Sequence, residues 1–503
     1  MWNVLKTLQR WLSKVGSDFK KTDSAGKVLH ANEKLKIAAS EKERREDKTV
    51  APSQKTAATP QRKKPQRKPA QVEPILPRME RTLVIGVDYG TSSTKVVWQD
   101  LSDNHFESLK WQSSDKGLRA LLLPSTIIIR NGRLLFGLPD EGVREGDFQL
   151  PSIKICILCE NKSSMCCCQS SVARNGIIRF QGKGYPASTF ACLFLAHVFG
   201  IVETRLKAQF PNDDLILLWN IGCPMDYLDK AGRKSQWEKM TGTAMTLHQE
   251  SAELSNSALL GEVTARVATF SVPPREERNY FVQPEGLAAV KAFLESPHSE
   301  SKTYAIVDVG AGTTEVSFFF NGQIMTEPGW PLRPSYLSDS TRSVGGVRID
   351  LELARAWGCE PSEARRRKHA GEQNLPALES VTEICSQYEH TCWDIVRANK
   401  LVAAHDKRFD LFVIGGGGRL HTLRNAVNDQ RLPGGFIREN VLALQPPRML
   451  AGGHALKDDY DFIANACGLA SSLSWEYYPP SEVGGMSAPR LKPRIDRDEL
   501  YPK

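Results

Sequence analysis

The stretch IGVDYGTSSTK, residues 85–95, decides the fold that we predict for this chain. Apolar residues lead into Asp88, and Gly90 and a run of hydroxyl side chains follow before the pattern turns apolar again. This order predicts a buried strand, a tight turn and a second strand. A glycine lets the backbone approach a ligand closely, and backbone N–H groups and hydroxyls can donate to phosphate oxygens. A carboxylate cannot hold phosphate directly, so Asp88 would act through Mg²⁺ or its waters, although a polar hairpin turn that binds nothing remains the alternative for this stretch alone.

The pattern returns 220 residues later in YAIVDVGAGTTEVSFFF, residues 304–320. An apolar strand again ends in an aspartate, Asp308, and glycines and threonines follow before a second apolar strand. Two copies so far apart predict two related domains, each with a turn that can bind phosphate.

A third motif, LFVIGGGGRL at residues 411–420, runs from an apolar strand into four glycines and then a helical stretch. Such a turn lets a ligand approach the backbone and the start of the helix.

Composition is that of a globular protein with a charged extension. The 503 residues are 41% hydrophobic, enough for two or three domains with sizeable cores. The sequence has no run of eighteen apolar residues and no secretory leader pattern, so we expect neither a transmembrane helix nor export. The eleven cysteines are then expected to stay reduced.

The net charge of +8 is unevenly distributed along the chain. Residues 1–80 hold 19 basic and 9 acidic residues, a net charge of +10, so the remaining residues have a net charge of −2.

The first 80 residues predict two segments outside the globular body. Residues 2–15 place tryptophans, leucines and a valine on one helical face and basic residues off it. Such an amphipathic helix suits an anionic membrane surface or a groove in a protein partner, with packing on the chain's own body as the alternative. The basic stretch that follows is poor in apolar side chains, which predicts a disordered linker, and it lacks the interleaved aromatics of a nucleic-acid binder. We therefore divide the chain into an amphipathic helix (1–20), a linker (21–80), two globular lobes (81–283 and 284–473) and a C-terminal tail (474–503).

The three motifs in this order resemble the superfamily of actin, sugar kinases and heat-shock ATPases. The resemblance covers about residues 83–473. It implies an α/β fold in which two ribonuclease-H-like domains, of the actin-like ATPase kind, face each other across a nucleotide cleft. Each domain would contribute one phosphate-binding hairpin, and the later glycine turn would hold the adenosine.

Further motifs are similar to the nucleotide-binding domain of the seventy-kilodalton heat-shock chaperones. Lys154 in PSIKICI follows a PSTIII strand, where that family has its catalytic lysine, although a lysine between isoleucines is also typical of the outward face of a strand. Glu285 in QPEGLAAV matches the family's acidic residue before a small-residue helix, with Glu-Gly-Leu where the family has Glu-Pro-Thr. SVGGVRID, residues 343–350, matches the family's Gly-Gly-x-x-x-Asp, and IANACGLASSL, residues 463–473, matches its closing helix.

The resemblance implies a role for each matched residue. Asp88 and Asp308 would hold Mg²⁺ through water. Lys154 would stabilise charge on the γ-phosphate of ATP, and Glu285 would position the attacking water. The phosphates and the adenosine of ATP or ADP would be bound by Gly90, Thr91, Ser92, Ser93, Gly310, Gly312, Thr313, Thr314, Gly345, Gly346, Glu363, Arg366, Arg367, Gly415, Gly416, Gly417, Gly418 and Arg419.

Residues 354–371 depart from the chaperone pattern. Glu363, Arg366 and Arg367 have the spacing of the chaperones' adenosine-binding helix, in which an acid is followed three and four residues later by bases. The Trp-Gly-x-x-x-Ser-Glu-Ala form of the same stretch is also similar to bacterial actin-like division and pilus proteins, and a solvated charged helix is the alternative.

A cysteine cluster, Cys156 to Cys168, has spacing that zinc would accept. No second cysteine pair or histidine cluster follows it, so we favour a variable loop with reduced thiols.

The leading functional hypothesis is an ATP-binding protein similar to heat-shock protein 70. It would hydrolyse ATP to ADP with Mg²⁺ as a conformational switch that acts on a protein partner in a chaperone-like manner. The 30 residues after Leu473 are too few for the chaperones' peptide-binding domain.

The alternative is an actin-like cytoskeletal or scaffold ATPase tethered to the membrane by its N-terminal helix. A small-molecule kinase is less favoured, because no sugar-pocket pattern lies between the hairpins. We expect a cytoplasmic protein, with peripheral contact at the inner face of the membrane if residues 2–15 bind lipid.

Overall fold

The computed structural model describes residues 79–111, 117–139, 142–158, 173–174, 176–224, 231–250, 254–297, 300, 302–321, 335–369, 376–397 and 407–473. These residues belong to one compact unit, Pro77–Lys503. The helix expected at residues 2–15, the linker up to residue 78, most of the cysteine cluster and the C-terminal tail lie outside the described residues.

The described part of the chain has a mixed α/β fold. Its strands are β1 (Glu80–Tyr89), β2 (Ser93–Asp100), β3 (His105–Ser108), β4 (Leu123–Pro124), β5 (Thr126–Arg130), β6 (Arg133–Phe136), β7 (Phe148–Pro151), β8 (Ala173–Arg174), β9 (Ile177–Phe180), β10 (Lys183–Pro186), β11 (Asp214–Cys223), β12 (Tyr280–Pro284), β13 (Lys302–Val309), β14 (Thr314–Asn321), β15 (Ser335–Arg342), β16 (Arg408–Ile414) and β17 (Ile437–Leu442). Its α-helices are α1 (Ile153–Leu158), α2 (Ala187–Gln209), α3 (Ala231–Gln249), α4 (Leu260–Thr269), α5 (Glu285–Leu294), α6 (Gly346–Trp357), α7 (Pro361–His369), α8 (Glu379–Arg397), α9 (His421–Asp429) and α10 (Ala464–Ala470).

Two of the sheets share one topology. The first runs β12–β11–β1–β2–β3, with β4 added beside β2, and the second runs β17–β16–β13–β14–β15. In each, the first strand of a predicted hairpin lies in the middle and pairs antiparallel with its hairpin partner. On its other side it pairs parallel with a strand that comes more than a hundred residues later, and the last strand is again parallel. The two smaller sheets, β6–β5–β7 and β10–β9–β8, are antiparallel.

Local sequence signals predicted many of these elements. Both aspartate hairpins are confirmed. The sequence also predicts a helix at residues 186–209 and a buried strand at residues 215–222, and both form, as α2 and β11. An Asn-Gly pair between two apolar stretches predicts a hairpin at Asn131-Gly132, and it forms between β5 and β6. Both turn residues have positive φ, which asparagine and glycine tolerate best. Lys154 differs from the strand alternative, because it lies in the short helix α1.

Helices α5 and α10 cross between the two large sheets. Helix α5 follows β12 of the first sheet, yet its Phe293 packs on the second sheet, with its ring centroid 4.4 Å from that of Tyr304. Helix α10 follows β17 of the second sheet, yet it packs against β1 and β2 of the first. These crossings build a third apolar core between the cores of the two sheets.

Glycines let these elements approach closely. A Cβ at Gly468 in α10 would overlap the Ala288 carbonyl oxygen of α5. A Cβ at Gly86 in β1 would overlap backbone atoms of Ala466 and Ala470. Asn220 of β11 then donates to the Leu469 carbonyl oxygen at 2.7 Å, so the first sheet also holds α10 by a hydrogen bond.

Helix α2 is long and apolar enough to cross a membrane by length and composition. Its most apolar window is 72% buried inside the fold, as expected for a core helix. It lies in the core of the first sheet with residues such as Phe190, Phe194 and Phe199.

We predict that Gly468→Ala lowers the free energy of unfolding by about 1–3 kcal/mol, because the added methyl must push α10 away from α5. Urea unfolding followed by far-ultraviolet circular dichroism measures this change. The matched control is Gly261→Ala in α4, where an added Cβ meets nothing within 4 Å. It should leave the midpoint unchanged or raise stability by up to about 1 kcal/mol. Equal midpoints for Gly468→Ala and the wild type would contradict the close crossing.

Candidate functional site: a cleft between two hairpins

Most of the residues predicted to bind or react line one cleft of about 1080 Å³. One wall is built by the β1–β2 turn, α1 and the start of α5, and the other by the β13–β14 turn, α6, α7 and the glycine turn after β16. The predicted residues in its lining are Asp88, Gly90, Thr91, Ser92, Ser93, Lys154, Glu285, Asp308, Gly310, Thr313, Gly346, Gly415, Gly416, Gly417 and Arg419. The fold therefore brings together motifs that are far apart in the sequence.

The two hairpin turns touch at the floor of the cleft. A Cβ at Gly312 would lie 2.6 Å from the Thr91 hydroxyl and 2.8 Å from Cγ1 of Ile155 in α1. A Cβ at Gly90 would lie 2.5 Å from the Ser93 carbonyl oxygen. Because neither glycine has room for a side chain, backbone and hydroxyl groups line the cleft here, and these are the groups that donate to phosphate oxygens.

Each hairpin carries a buried aspartate at the same position, at the end of its first strand. Asp88 is 4% exposed and Asp308 is 8% exposed. Asn465 of α10 donates to Asp308 Oδ2 at 2.7 Å. Burial raises the pKa of Asp308 and outweighs this hydrogen bond, and the charge of Asp88 raises the pKa further. Bringing these two carboxylates together thus costs free energy that a cation would offset.

A buried ion pair joins α1 to the start of α5. The Lys154 ammonium donates to Glu285 Oε1, and the two residues are 2% and 5% exposed. Burial lowers the pKa of Lys154, but the negative charges of Glu285 and Asp88 outweigh it, so the net shift is upward and the ammonium stays charged. Burial raises the pKa of Glu285, Lys154 opposes that shift, and the charge of Asp88 adds to it. Gly222 makes room for the pair, since a Cβ there would lie 3.2 Å from Glu285 Oε1.

The glycine turn after β16 passes directly beside Asp308. Gly415 has φ +80°, and a Cβ there would overlap Asp308 Oδ1, so both conformation and space require glycine. Arg419 follows, with its guanidinium 4.3 Å from the centroid of the Phe462 ring. It also pairs with Asp459 at 3.0 Å and Asp461 at 2.7 Å. Two carboxylates therefore fix Arg419 in position with its guanidinium over the Phe462 ring.

Helix α7 does not turn its predicted adenosine-binding residues toward the cleft. Glu363 and Arg366 pair with each other at 2.6 Å on the exposed side of the helix. Arg367 lies over the Trp357 ring, 4.3 Å from its centroid. The cleft is instead lined by Arg365 and Lys368, which both pair with the buried Asp350 of α6.

Four other predicted residues lie behind the lining and support it. These are Gly312, Thr314, Gly345 and Gly418. Thr314 is fully buried and donates to the Val344 carbonyl oxygen at 2.7 Å. Gly345 precedes α6, and a Cβ there would lie 2.7 Å from the Gly310 carbonyl oxygen, so the start of α6 packs on the second turn.

The charges on the cleft floor fit a divalent cation. Among the described residues, the floor carries carboxylates of Asp88, Glu285, Asp308 and Glu315 and ammonium groups of Lys95 and Lys154. These are four carboxylates and two ammonium groups in a largely buried setting, where charges need partners. No group of three or more His, Cys, Asp or Glu side chains in the described ranges could hold a metal ion by itself. A site with only one or two carboxylates suits Mg²⁺, because Mg²⁺ completes its coordination shell with water and phosphate oxygens.

Sequence reasoning gave no role to several residues of the lining. They are Lys95, Glu315, Arg365, Lys368, Asp461, Phe462 and Asn465. Lys95 and Glu315 could have been found by pairing the two predicted hairpins, because they lie directly opposite Asp88 and Asp308. The others depend on how distant helices and loops pack, which no local pattern encodes.

Comparisons with known proteins found no family model that matches the chain and no curated protein that matches it. The chemistry of the cleft is therefore inferred from its own residues.

We predict that Lys154→Met lowers the free energy of unfolding by about 3–5 kcal/mol, because it leaves Glu285 buried without its partner. The double variant Lys154→Met/Glu285→Leu should recover most of that loss, since apolar side chains of similar size can replace a buried pair. Urea unfolding of the two variants measures both values. A double variant less stable than Lys154→Met would contradict the direct pairing of the two side chains.

Proposed function

We propose that this chain binds ATP with Mg²⁺ and hydrolyses it to ADP, as an ATPase of the actin, sugar-kinase and heat-shock superfamily. The observation that carries the proposal is the convergence of two aspartate hairpins, a glycine turn and a buried Lys–Glu pair on one cleft. Each motif alone is weak evidence for nucleotide binding. Their arrangement around the same cavity is not expected by chance, so the set is stronger evidence than any one motif.

We further propose that the two large sheets belong to two ribonuclease-H-like domains. Support comes from their shared strand order and from the identical pattern of parallel and antiparallel pairs. Each sheet contributes its central hairpin to the cleft. Two copies of such a domain, each with one hairpin turn in the cleft, could bind a phosphate chain from two sides.

In this proposal the hairpin turns bind the phosphates. Gly90 and Gly310 expose backbone, and the hydroxyls of Thr91, Ser92 and Thr313 line the same floor. Mg²⁺, held by Asp88 and Asp308 through water, would neutralise charge on the β- and γ-phosphates. The base and ribose would lie toward the second sheet, between the glycine turn and α7, where Arg419 and Phe462 offer flat surfaces.

Hydrolysis would depend on Lys154 and Glu285. Because they are bound to each other and buried, both side chains are held in place before a substrate arrives. The ammonium of Lys154 can stabilise charge that develops on the γ-phosphate, and the carboxylate of Glu285 can orient a water molecule. Positioning and electrostatics of this kind supply most of the rate in phosphoryl transfer.

We propose that hydrolysis works as a switch on a protein partner, as in the heat-shock 70 family, in the cytoplasm. Both lobes would bind the same nucleotide, so its hydrolysis would change how the lobes are held together. The contacts between the two hairpin turns and between α5 and α10 would then differ between the ATP and ADP states. Residues 2–15 would supply the contact with a partner or a membrane.

Binding of ATP to the full chain tests the proposal. We expect isothermal titration calorimetry to detect ATP in the presence of Mg²⁺, and Asp308→Asn to weaken that binding about tenfold or more, because removing one buried charge next to a cation shifts such equilibria by at least one logarithmic unit. Glu285→Gln should keep the binding and lower turnover by about 10²-fold, the usual cost of losing one catalytic group.

Asp410→Asn is the matched control. Asp410 is a buried aspartate on the neighbouring strand β16, and it does not belong to the described lining of the cleft. It should bind ATP like the wild type. A wild-type chain that binds no ATP at millimolar concentration, or an Asp308→Asn variant that binds as well as Asp410→Asn, would contradict the proposed function.

A further inference from the structure

Asn465 connects helix α10 to the aspartate of the second hairpin. It is the one residue of α10 in the described lining of the cleft. Its side-chain amide Nδ2 donates to Asp308 Oδ2 at 2.7 Å. An ionised carboxylate only accepts hydrogen bonds, so the nitrogen end of the amide must face Asp308. A hydrogen bond to a charged oxygen is stronger than one between neutral groups, so this contact can hold the carboxylate in one orientation.

The two oxygens of Asp308 have different surroundings. Oδ1 lies against the glycine turn, since a Cβ at Gly415 would lie 2.4 Å from it. Oδ2 accepts the hydrogen bond from Asn465. Burial raises the pKa of this carboxyl group, and among the groups that oppose the shift Asn465 has a larger effect than the charges of Lys95 and Lys154. Asn465 therefore both orients Asp308 and favours its charged form.

The oxygen end of the Asn465 amide makes no comparable contact. Asn465 Oδ1 is buried and accepts no hydrogen bond from the described residues. A buried polar atom without a partner costs free energy, so the packing of α10 alone would favour an apolar side chain at this position. The hydrogen bond to Asp308 is the contact that an apolar side chain could not supply.

Helix α10 is itself fixed to the first sheet. A Cβ at Gly86 of β1 would overlap backbone atoms of α10, so strand and helix are in close contact. Asn220 of β11 donates to the Leu469 carbonyl oxygen at 2.7 Å, one helical turn after Asn465. The amide of Asn465 thus links an element packed on the first sheet to the aspartate of the second hairpin.

We propose that Asn465 is a positioning residue of the metal site, whose amide holds the Asp308 carboxylate in the orientation that binds the hydrated cation. This inference rests on the proposed function, because it concerns the cation bound together with ATP. Asn465 would act through Asp308 and would contact neither the metal nor the nucleotide. The second hairpin's part of the metal site would then depend on the position of α10 on the first sheet.

Binding of ATP with Mg²⁺ to the full chain, measured by isothermal titration calorimetry, tests this inference. Asn465→Leu keeps the approximate size of the side chain and removes the donor. It should weaken binding about tenfold, because the loss of a group that orients a metal-binding side chain commonly has an effect of this size. Asn465→Ala removes the same donor with a smaller side chain and should weaken binding to a similar extent. Circular dichroism melts show that each variant is folded.

A double-mutant cycle shows whether Asn465 acts through Asp308. Asp308→Ala removes the carboxylate that Asn465 holds, so adding Asn465→Leu to this variant should change the ATP affinity by no more than about twofold. A merely structural role of Asn465 does not depend on Asp308. A double variant that binds about tenfold more weakly than Asp308→Ala would therefore contradict the positioning role, since the two effects would be independent.

Asn440→Leu is the matched control. Asn440 of β17 also donates its amide to a buried aspartate, Asp410, at 2.8 Å, and neither residue belongs to the described lining of the cleft. This variant should bind ATP like the wild type. The inference is overturned if neither Asn465→Leu nor Asn465→Ala loses affinity, or if Asn440→Leu loses as much as they do.

The affinity of the wild type separates this inference from the proposed function. A wild type that binds ATP with Mg²⁺, beside Asn465 variants of equal affinity, overturns the positioning role alone. A wild type that binds no ATP overturns the proposed function, and the positioning role with it.

Discussion

The close crossing of α5 and α10 is the constraint on which the cleft depends. Each helix follows the last strand of one large sheet and packs on the other, so the sheets are held together by the two helices. Gly468 and Gly86 allow backbone to meet backbone at this crossing, and larger residues would force the sheets apart. The two hairpin turns can then meet at Gly312 and Thr91, which sets the width of the floor. The geometry of the cleft thus depends on Gly468 and Gly86, which lie outside its described lining.

Charge on the floor follows from the shared pattern of the two hairpins. Each hairpin presents a buried aspartate to the other, and like charges in a low dielectric repel. The chain relieves this differently on each side, with Lys95 on Asp88 and the neutral Asn465 on Asp308. Equivalent positions in two hairpins of one pattern therefore have different neighbours, an ammonium at Asp88 and a side-chain amide at Asp308.

The sequence predicted the elements whose signals are local. The two hairpins, α2 and β11 follow from apolar periodicity and from turn residues that few other structures favour. It also predicted 15 of the 31 residues that line the cleft in the described part of the chain, because most of these predicted residues lie at the ends of central strands and at glycine turns. The stacking of Phe462 on Arg419 and the hydrogen bond of Asn465 could not be predicted, since they join segments whose packing only the whole fold decides.

Helix α7 shows the physical limit of spacing arguments. Residues three and four apart share a helical face, so the spacing predicts Glu363, Arg366 and Arg367 as neighbours, and Glu363 does pair with Arg366. Periodicity fixes which residues share a face, but it does not fix the direction in which that face points. The rotation of α7 is set by Ala364, which is fully buried in the core of the second sheet, and by Asp350, which draws Arg365 and Lys368 toward α6. A single buried alanine and one buried carboxylate thus decide which bases face the cleft, and neither is part of the charge pattern that made the helix conspicuous.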